Sequence, residues 1–314
     1  MKVAVVVCTY NRAASLRVTL EALARQVTTR TALEILVVDN NSTDDTKAVV
    51  TVSQTHSNVP VHYLFEPRQG LSYARNAAAS NAQSDVLIFL DDDASPARPD
   101  WAERLATAFS DPSIGAAGGD ALPEWPAGGR PPWLHDQLLK YLGVVTFSER
   151  TLSDLQYPHF PYGVNLAVRR QTLLDAGGFS TTLGRAGNQL LSGEEIELCK
   201  RIVDTGLRVV YVPDAPVLHR MAPHRLTKDW FLSRARSQGQ SKAMIELTSA
   251  SAASFTMHIT KRIAILTLSA LAAGAAYLIN AHGWVMVARC KTAMSVAYLR
   301  HAFATRRHAQ NELR

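Results

Sequence analysis

The sequence predicts an α/β fold: a mostly parallel sheet sandwiched by helices, with a helical region closing the chain. Three features carry that expectation. Short aliphatic runs alternate with helix-period segments up to about residue 120, the order of strand–helix–strand units with right-handed crossovers. The runs are apolar at consecutive positions, the pattern of strands covered on both faces. Three of them stop abruptly in polar clusters, Thr9-Tyr10-Asn11-Arg12, Asp39-Asn40-Asn41 and Asp91-Asp92-Asp93. At 314 residues, 47% of them hydrophobic, the chain can bury a core without staples and is not disordered.

Each element has a local reason. Val3–Cys8 is a β-branched run and reads as a buried strand rather than a leader, because it meets Thr9 with no cleavage-site pattern. Ser15–Gln26 carries Leu16, Leu20 and Leu23 at helical spacing. Glu34–Asp39 is a second strand, after which Ser42 is placed to cap a helix whose first turn holds Asp44 and Asp45. Val61–Phe65, the alanine-rich helix Leu71–Ser80 and the strand Asp85–Leu90 follow. From Ile114 to about Pro161 glycines and prolines break the pattern, and the stretch reads as an irregular insertion over the sheet that keeps Trp125 and Trp133. Val164–Val168, a helix at Gln171–Ala176, a helix at Glu194–Thr205 stopped by Gly206, and the strand Val209–Val212 resume it. The last helix buries Ile196, Cys199, Ile202 and Val203 in this reading.

Charge separates the end of the chain from the rest. From Lys261 onward there are eight Lys and Arg against the single acid Glu312, net +7, inside an overall balance of +6. Ile263–Ile279 holds 17 residues without a charge, the lower limit for a spanning helix, and Trp284–Ala288 is a second apolar stretch before Arg289 and Lys291. Basic residues on both sides suit a hairpin lying in one leaflet, so peripheral membrane contact through residues 261–291 is expected, against an ordinary buried helix pair. Cys8, Cys199 and Cys290 are scattered and form neither a disulfide framework nor a zinc pattern, which fits a cytoplasmic location, here at the cytoplasmic face of the membrane. No nucleic-acid partner is expected.

In a parallel α/β sheet, ligands sit beyond the carboxyl ends of the strands, so the three polar clusters converge on one edge. No dinucleotide fingerprint or P-loop is present. Three adjacent carboxylates repel unless a cation or several donors neutralise them, and hard oxygen ligands select Mg²⁺ or Mn²⁺. Alternation puts Asp91 and Asp93 on one side of the backbone and Asp92 on the other. A second acidic site is Ser192-Gly193-Glu194-Glu195, which also reads as a capping box in which Glu195 bonds back to Ser192.

The segments VVVCTYNR, EILVVDNNSTDDT, GLSYARNAA, VLIFLDDDASP, YGVNLAVRR and SGEEIELCKRI, in that order, resemble the family 2 glycosyltransferases of GT-A fold, over roughly Lys2 to His219. The resemblance implies a metal-dependent, inverting enzyme that moves a sugar from a nucleoside-diphosphate sugar, UDP-linked by preference, to a hydroxyl on a glycan or lipid-linked acceptor, in polysaccharide or glycolipid synthesis. It implies that Thr9, Tyr10, Asn11, Arg12, Asp39 and Asn41 hold the nucleotide, with Arg75, Asp91 and Asp92 beside the sugar nucleotide. Asp93, the last Asp of the DxD pattern, and His219 would bind Mg²⁺ or Mn²⁺; His224 competes with His219. Glu195 takes the base position, where the family usually shows the Asp of Glu-Asp, and Glu194 an acceptor contact; if Glu195 is spent in the capping box, Glu194 is the base. Asn165, entered through Gly163, and Trp133 are the other acceptor-side candidates, and core packing is the competing role for the tryptophans. Arg220, Arg225, Arg234 and Arg236 are offered to a diphosphate or lipid headgroups.

Three regions follow: residues 1–112 for the sugar nucleotide, 113–226 for the acceptor and 227–314 as the helical, basic, membrane-associated part. A sugar nucleotidylyltransferase is the rival enzyme, but it needs a glycine-rich loop where this chain has Thr9-Tyr10-Asn11-Arg12. A non-catalytic sugar-nucleotide-binding membrane protein is the rival of another class.

Overall fold

The computed structural model describes residues 1–187, 190–247, 251–278 and 281–311. The chain divides into two compact units. The first comprises Met1–Glu124, Gly143–Gly187 and Glu194–Arg220; the second comprises Trp125–Leu142, Asn188–Gly193 and Met221–Arg314.

The first unit is built on an eight-stranded sheet. Its strands are β1 (Lys2–Thr9), β2 (Ala32–Asp39), β3 (Val61–Phe65), β4 (Val86–Asp91), β6 (Ile114–Gly118), β8 (Ser153–Asp154), β9 (Asn165–Arg169) and β10 (Arg208–Tyr211), in the order β3-β2-β1-β4-β9-β6-β10-β8. A small second sheet joins β5 (Ala94–Pro96), β11 (Val217–Arg220) and β7 (Ala121–Glu124). The helices are α1 (Ala13–Leu23), α2 (Thr46–His56), α3 (Leu71–Asn81), α4 (Trp101–Ala108), α5 (Arg170–Asp175) and α6 (Glu194–Asp204).

Period two in β1 explains the layering. Val3, Val5 and Val7 pack into one apolar cluster with Leu16, Leu20 and Trp101, while Ala4 and Val6 pack into the other with Ala74, Ala78 and Phe179. Both faces are thus covered, as the unbroken apolar run requires. β1 to β4 are mutually parallel, and β9 runs antiparallel to both β4 and β6. The sheet is therefore mixed: a run such as Val164–Val168 signals burial but not direction. The irregular insertion expected from Ile114 onward resolves differently too, since Ile114–Gly118 is an interior strand of the main sheet and every residue in it is buried.

Register positions the site. Thr9 pairs with Asp39, and Cys8 with Asp91, so the carboxyl ends of β1, β2 and β4 finish side by side. Two local expectations are corrected. Ser42 does not cap α2: its Oγ accepts from the Asn11 amide, and Asp44 instead accepts from the amides of Ala13 and Thr46, tying two helix starts together. Val203 faces solvent, because the buried stripe of α6 is Leu198, Cys199 and Ile202.

The second unit holds α7 (Lys228–Leu247), α8 (Ala252–Leu278) and α9 (His282–Asn311). Gly239 lets α7 and α9 touch backbone to backbone, for a Cβ there would lie 2.1 Å from the Met294 carbonyl oxygen. Arg262 of α8 stacks over the buried Tyr298 ring at 4.4 Å. Among the described residues, Ala253–Leu278 is the one helical stretch long and apolar enough to cross a membrane.

Candidate active site

Asp91 ends β4, and Asp92 and Asp93 form the link to β5. Their mutual repulsion is met by donors from the β1–α1 connection. Thr9 Oγ1 donates to Asp92 at 2.7 Å, and the Arg12 guanidinium forks across the pair, Nη1 to Asp92 at 2.7 Å and Nη2 to Asp93 at 2.8 Å. Burial pushes the Asp92 carboxyl up to about 7 against the pull of Arg12. The link backbone is pinned as well: Ser15 and Thr19 hydroxyls and Arg220 Nη2 donate to the Asp92 carbonyl, and the Arg220 amide to that of Asp93. Arg220, expected at a diphosphate, thus braces the aspartate link from behind.

His219 of β11 closes the cluster. Its Nε2 lies 3.1 Å from Asp93 Oδ1, and Asp91, Asp93 and His219 each present one donor atom within 4.8 Å of the others. Both ring nitrogens are buried and make no hydrogen bond among the described residues. An imidazole so placed between two carboxylates is the donor set of a hard divalent cation, so these three residues fit one. His224, the rival, is exposed and belongs to the second unit.

The neighbouring strand end supplies a shaped rim. Asp39 accepts from the Ser42 amide and from the Tyr63 hydroxyl, each at 2.8 Å, and burial with that carboxylate contact pushes the Tyr63 phenol up to about 12. Asn11 and Asn41 hold φ of 51° and 68°, the left-handed region that asparagine tolerates, and Asn11 Oδ1 accepts from the Thr43 amide. Tyr10 is exposed. Asn40, which is buried, clips the β3–α3 loop by donating to the Glu66 and Arg68 carbonyls and accepting from the Gly70 amide.

The second carboxylate site is joined to the first by Arg75. This α3 side chain is 3% exposed, and its Nη1 donates to Glu194 Oε1 at 2.9 Å while Nη2 lies 3.4 Å from Asp91 Oδ1. Burial opposes its charge, but Glu194 and Asp91 more than offset that and hold it protonated. Its guanidinium also lies 5.3 Å from the Phe179 ring centroid. Gly163 exists to admit it: a Cβ there would stand 2.2 Å from Nη2. Glu194 and Glu195 open α6, the helix terminus that favours negative charge. Glu194 Oε2 is buried without a hydrogen-bond partner among the described residues, and Glu195 is half-buried. Ser192, the other half of the expected capping box, donates its amide to Ser241 Oγ and its hydroxyl to Gln238.

One acceptor-side expectation is corrected. Asn165 is fully buried, donates to the carbonyls of Asp120 and Ala215, and accepts from Trp101 Nε1; it locks the sheets and offers a ligand nothing. Trp133 is half-buried, with its ring edge-on to Phe231 at 5.3 Å. Arg225 and Arg234 are buried, on the Leu142 carbonyl and on Leu190 and Ser192. Sequence reasoning missed that Arg12 and Arg75 serve carboxylates of this chain, because those partners lie 80 and 81 positions from Arg12 and 16 and 119 positions from Arg75.

A mixed sheet whose parallel strands end in an aspartate cluster, backed by a buried imidazole and a second acidic pair, defines a sugar-nucleotide-dependent transferase of GT-A fold. The chain belongs to glycosyl transferase family 2, whose profile matches residues 4–175. It is 33% identical to the glucosyl-dolichyl phosphate glucuronosyltransferase of Haloferax volcanii, over 79% of this chain and 78% of that one. It is 30% identical to the pre-mycofactocin glycosyltransferase of Mycobacterium tuberculosis, over 74% of this chain and 45% of that one. In fold it is similar to a mannosyltransferase from Pyrobaculum calidifontis solved with GDP-Man and Mn²⁺ (TM-score 0.64, 21% identity, 95% of this chain and 86% of that one). The protein is a glycosyltransferase.

Proposed function

We propose that the protein is a metal-dependent, inverting glycosyltransferase that takes its sugar from a nucleoside-diphosphate donor, UDP-sugars first among those to test, and delivers it to a hydroxyl of a glycan or lipid-linked acceptor. The observation that carries the reading is the Asp91–Asp93–His219 cluster, linked through Arg75 to the carboxylates that open α6. Residues 1–112 hold the donor in this reading, and the later part of the same unit meets the acceptor.

Asp91, Asp93 and His219 hold Mn²⁺ or Mg²⁺, which when bound stabilises negative charge on the departing diphosphate. The protein's own groups do the rest. Thr9, Tyr10, Asn11, Asp39 and Asn41 line the strand-end rim that receives the base and ribose. Glu195 takes the acceptor hydroxyl proton as the oxygen attacks the anomeric carbon; the new C–O bond forms on one face as the bond to the diphosphate oxygen breaks on the other and leaves with its electron pair. Glu194, fixed by Arg75, orients the acceptor. Arg12 keeps Asp92 and Asp93 from repelling each other before the donor arrives.

The exposed apolar face of α8 and the basic C-terminus support a place at the cytoplasmic surface of a membrane, with contact through residues 261–291. The Haloferax relative, whose name contains a dolichyl phosphate, supports a lipid-linked acceptor. The test is release of nucleoside diphosphate from a panel of UDP-, GDP- and dTDP-sugars, with Mn²⁺ or EDTA and with a lipid-phosphate glycan extract as acceptor source. Metal-dependent release from one donor, lost in Asp93→Ala and in Glu195→Gln, is expected. Release that persists in EDTA or in Asp93→Ala overturns the metal assignment.

A further inference from the structure

The second unit holds a groove of about 660 Å³ lined by α7, α8 and α9. Its floor is apolar, with Leu232, Ala273 and Val296 among the side chains, and Arg236, Arg289 and Arg300 also line it. Positions 289, 293, 296 and 300 recur at helical spacing, so α9 presents two of the arginines and the apolar strip on one face. A second groove of about 460 Å³ shares Val296 and Arg300 with it.

What singles these arginines out is the lack of an acidic partner among the described residues. Arg225, Arg234 and Arg262 of the same unit are buried on carbonyls, hydroxyls or Glu246. Arg236, Arg289 and Arg300 are exposed and form no ion pair or side-chain hydrogen bond among the described residues. From Met221 to the end the sequence supplies 13 Lys and Arg against the three acids Asp229, Glu246 and Glu312, a strong cationic excess. Three unpaired guanidinia above an apolar floor complement a ligand with a phosphate at one end and hydrocarbon at the other. The same helices leave Met257, Ile263, Leu268, Leu271, Tyr277 and Leu278 of α8 exposed, an apolar face with hydrocarbon as its natural solvent.

We propose that this groove binds the phosphate headgroup of an anionic bilayer phospholipid, with the guanidinia on the phosphate and an acyl chain along the floor. The proposal rests on the membrane reading above and goes beyond it, since it assigns the lipid class and the residues that select it. Arg236, Arg289 and Arg300 thereby set which bilayers recruit the enzyme and which face of α9 meets the headgroups.

The test is flotation of the full chain with phosphatidylcholine vesicles and with the same vesicles containing phosphatidylglycerol. Wild type is expected to favour the anionic vesicles. Arg289→Gln with Arg300→Gln should weaken that binding about 30-fold, from roughly 1 kcal/mol per cation at a membrane surface, and leave binding to phosphatidylcholine unchanged. The charge-matched pair Lys140→Gln with Lys228→Gln removes two exposed lysines outside both the groove and residues 261–291 and should cost about threefold or less. Equal losses in the two pairs would mean a diffuse field and overturn the groove, as would recruitment that requires a polyprenyl phosphate and ignores phosphatidylglycerol. Wild type binding both vesicle types alike, with no change in the arginine pair, sinks the groove and leaves the membrane reading standing. Wild type floating with neither sinks both. The substituted side chains are exposed, so near-ultraviolet circular dichroism should show the fold unchanged in every variant.

Discussion

Residues 1–220 and residues 221–314 solve the problem of charge in opposite ways. The first stretch carries 20 Lys and Arg against 24 Asp and Glu, net −4, and its cleft turns two of those cations inward: Arg12 onto Asp92 and Asp93, Arg75 onto Glu194 and Asp91. The second carries net +10 and leaves guanidinia exposed beside bare leucines. A cleft that neutralises most of its own charge can be explained from inside the molecule. A surface that leaves both cations and apolar side chains without partners points to an environment, and that difference is what divides a site for soluble donors from a face for lipid.

The sharpest way to break the contrast is to disturb the cleft's balance. Asp93→Ala removes one of three donors and should lower metal-dependent turnover by about 10³-fold or more, the scale of a lost transition-state charge contact. It should also abolish the thermal stabilisation that Mn²⁺ gives, about 2.7 kcal/mol at a hundredfold excess over its Kd, followed by differential scanning calorimetry. Persistence of that shift would mean the ion sits elsewhere. Next comes Arg75→Gln, which strands the buried Glu194 carboxylate. Removing one partner of a buried pair costs about 3–5 kcal/mol, measurable by urea unfolding, and Glu194→Gln in the same chain should return a large part of it. If the double variant is no better than the single, the pair is not what holds the two carboxylate sites together. Gly163→Ala is smaller, about 1–3 kcal/mol from overpacking, because its Cβ would meet the guanidinium at 2.2 Å. That cost should shrink in the Arg75→Gln background, where the neighbour is shorter.

How much of this was legible before the structure differs between the regions for a physical reason. The strands Val61–Phe65 and Val3–Cys8 and the helix opening at Glu194 were readable because apolar periodicity and the Gly206 stop are local signals. The strand ends at Thr9, Asp39 and Asp91 were readable as a group because parallel strands put their carboxyl ends on one edge. Direction was not: β9 carries the same apolar signature either way up, and its antiparallel pairing is decided by chain connections far from Asn165. Asn165 itself looked like a ligand contact because an amide at a strand entry can donate outward; only the three-dimensional neighbours Trp101, Asp120 and Ala215 show that its hydrogen bonds are spent inside. Arg75 read equally as a helix-surface residue, since nothing in a sequence says that Gly163, 88 positions later, vacates the space for its side chain. In the C-terminal third the residues were all visible, but their charge could be counted without knowing which guanidinia would find a partner.

The smallest expected effect on folding is the one that tests the comparison most directly. Leu268 and Leu271 are 66% and 68% exposed, so their side chains contribute little to the packed core of the second unit. Glutamine has nearly the helix propensity of leucine, so Leu268→Gln with Leu271→Gln should change unfolding free energy by about 0.5 kcal/mol or less. A buried leucine pair replaced in the same way would cost several times that, as cavity and desolvation penalties add. The same two substitutions should nonetheless weaken vesicle binding strongly, because each leucine moved from water into hydrocarbon is worth about 1.5–3 kcal/mol. A large loss of stability with no loss of binding would mean that this face is covered by protein. The two regions would then differ in charge alone, and the case for lipid would have to rest on the arginines.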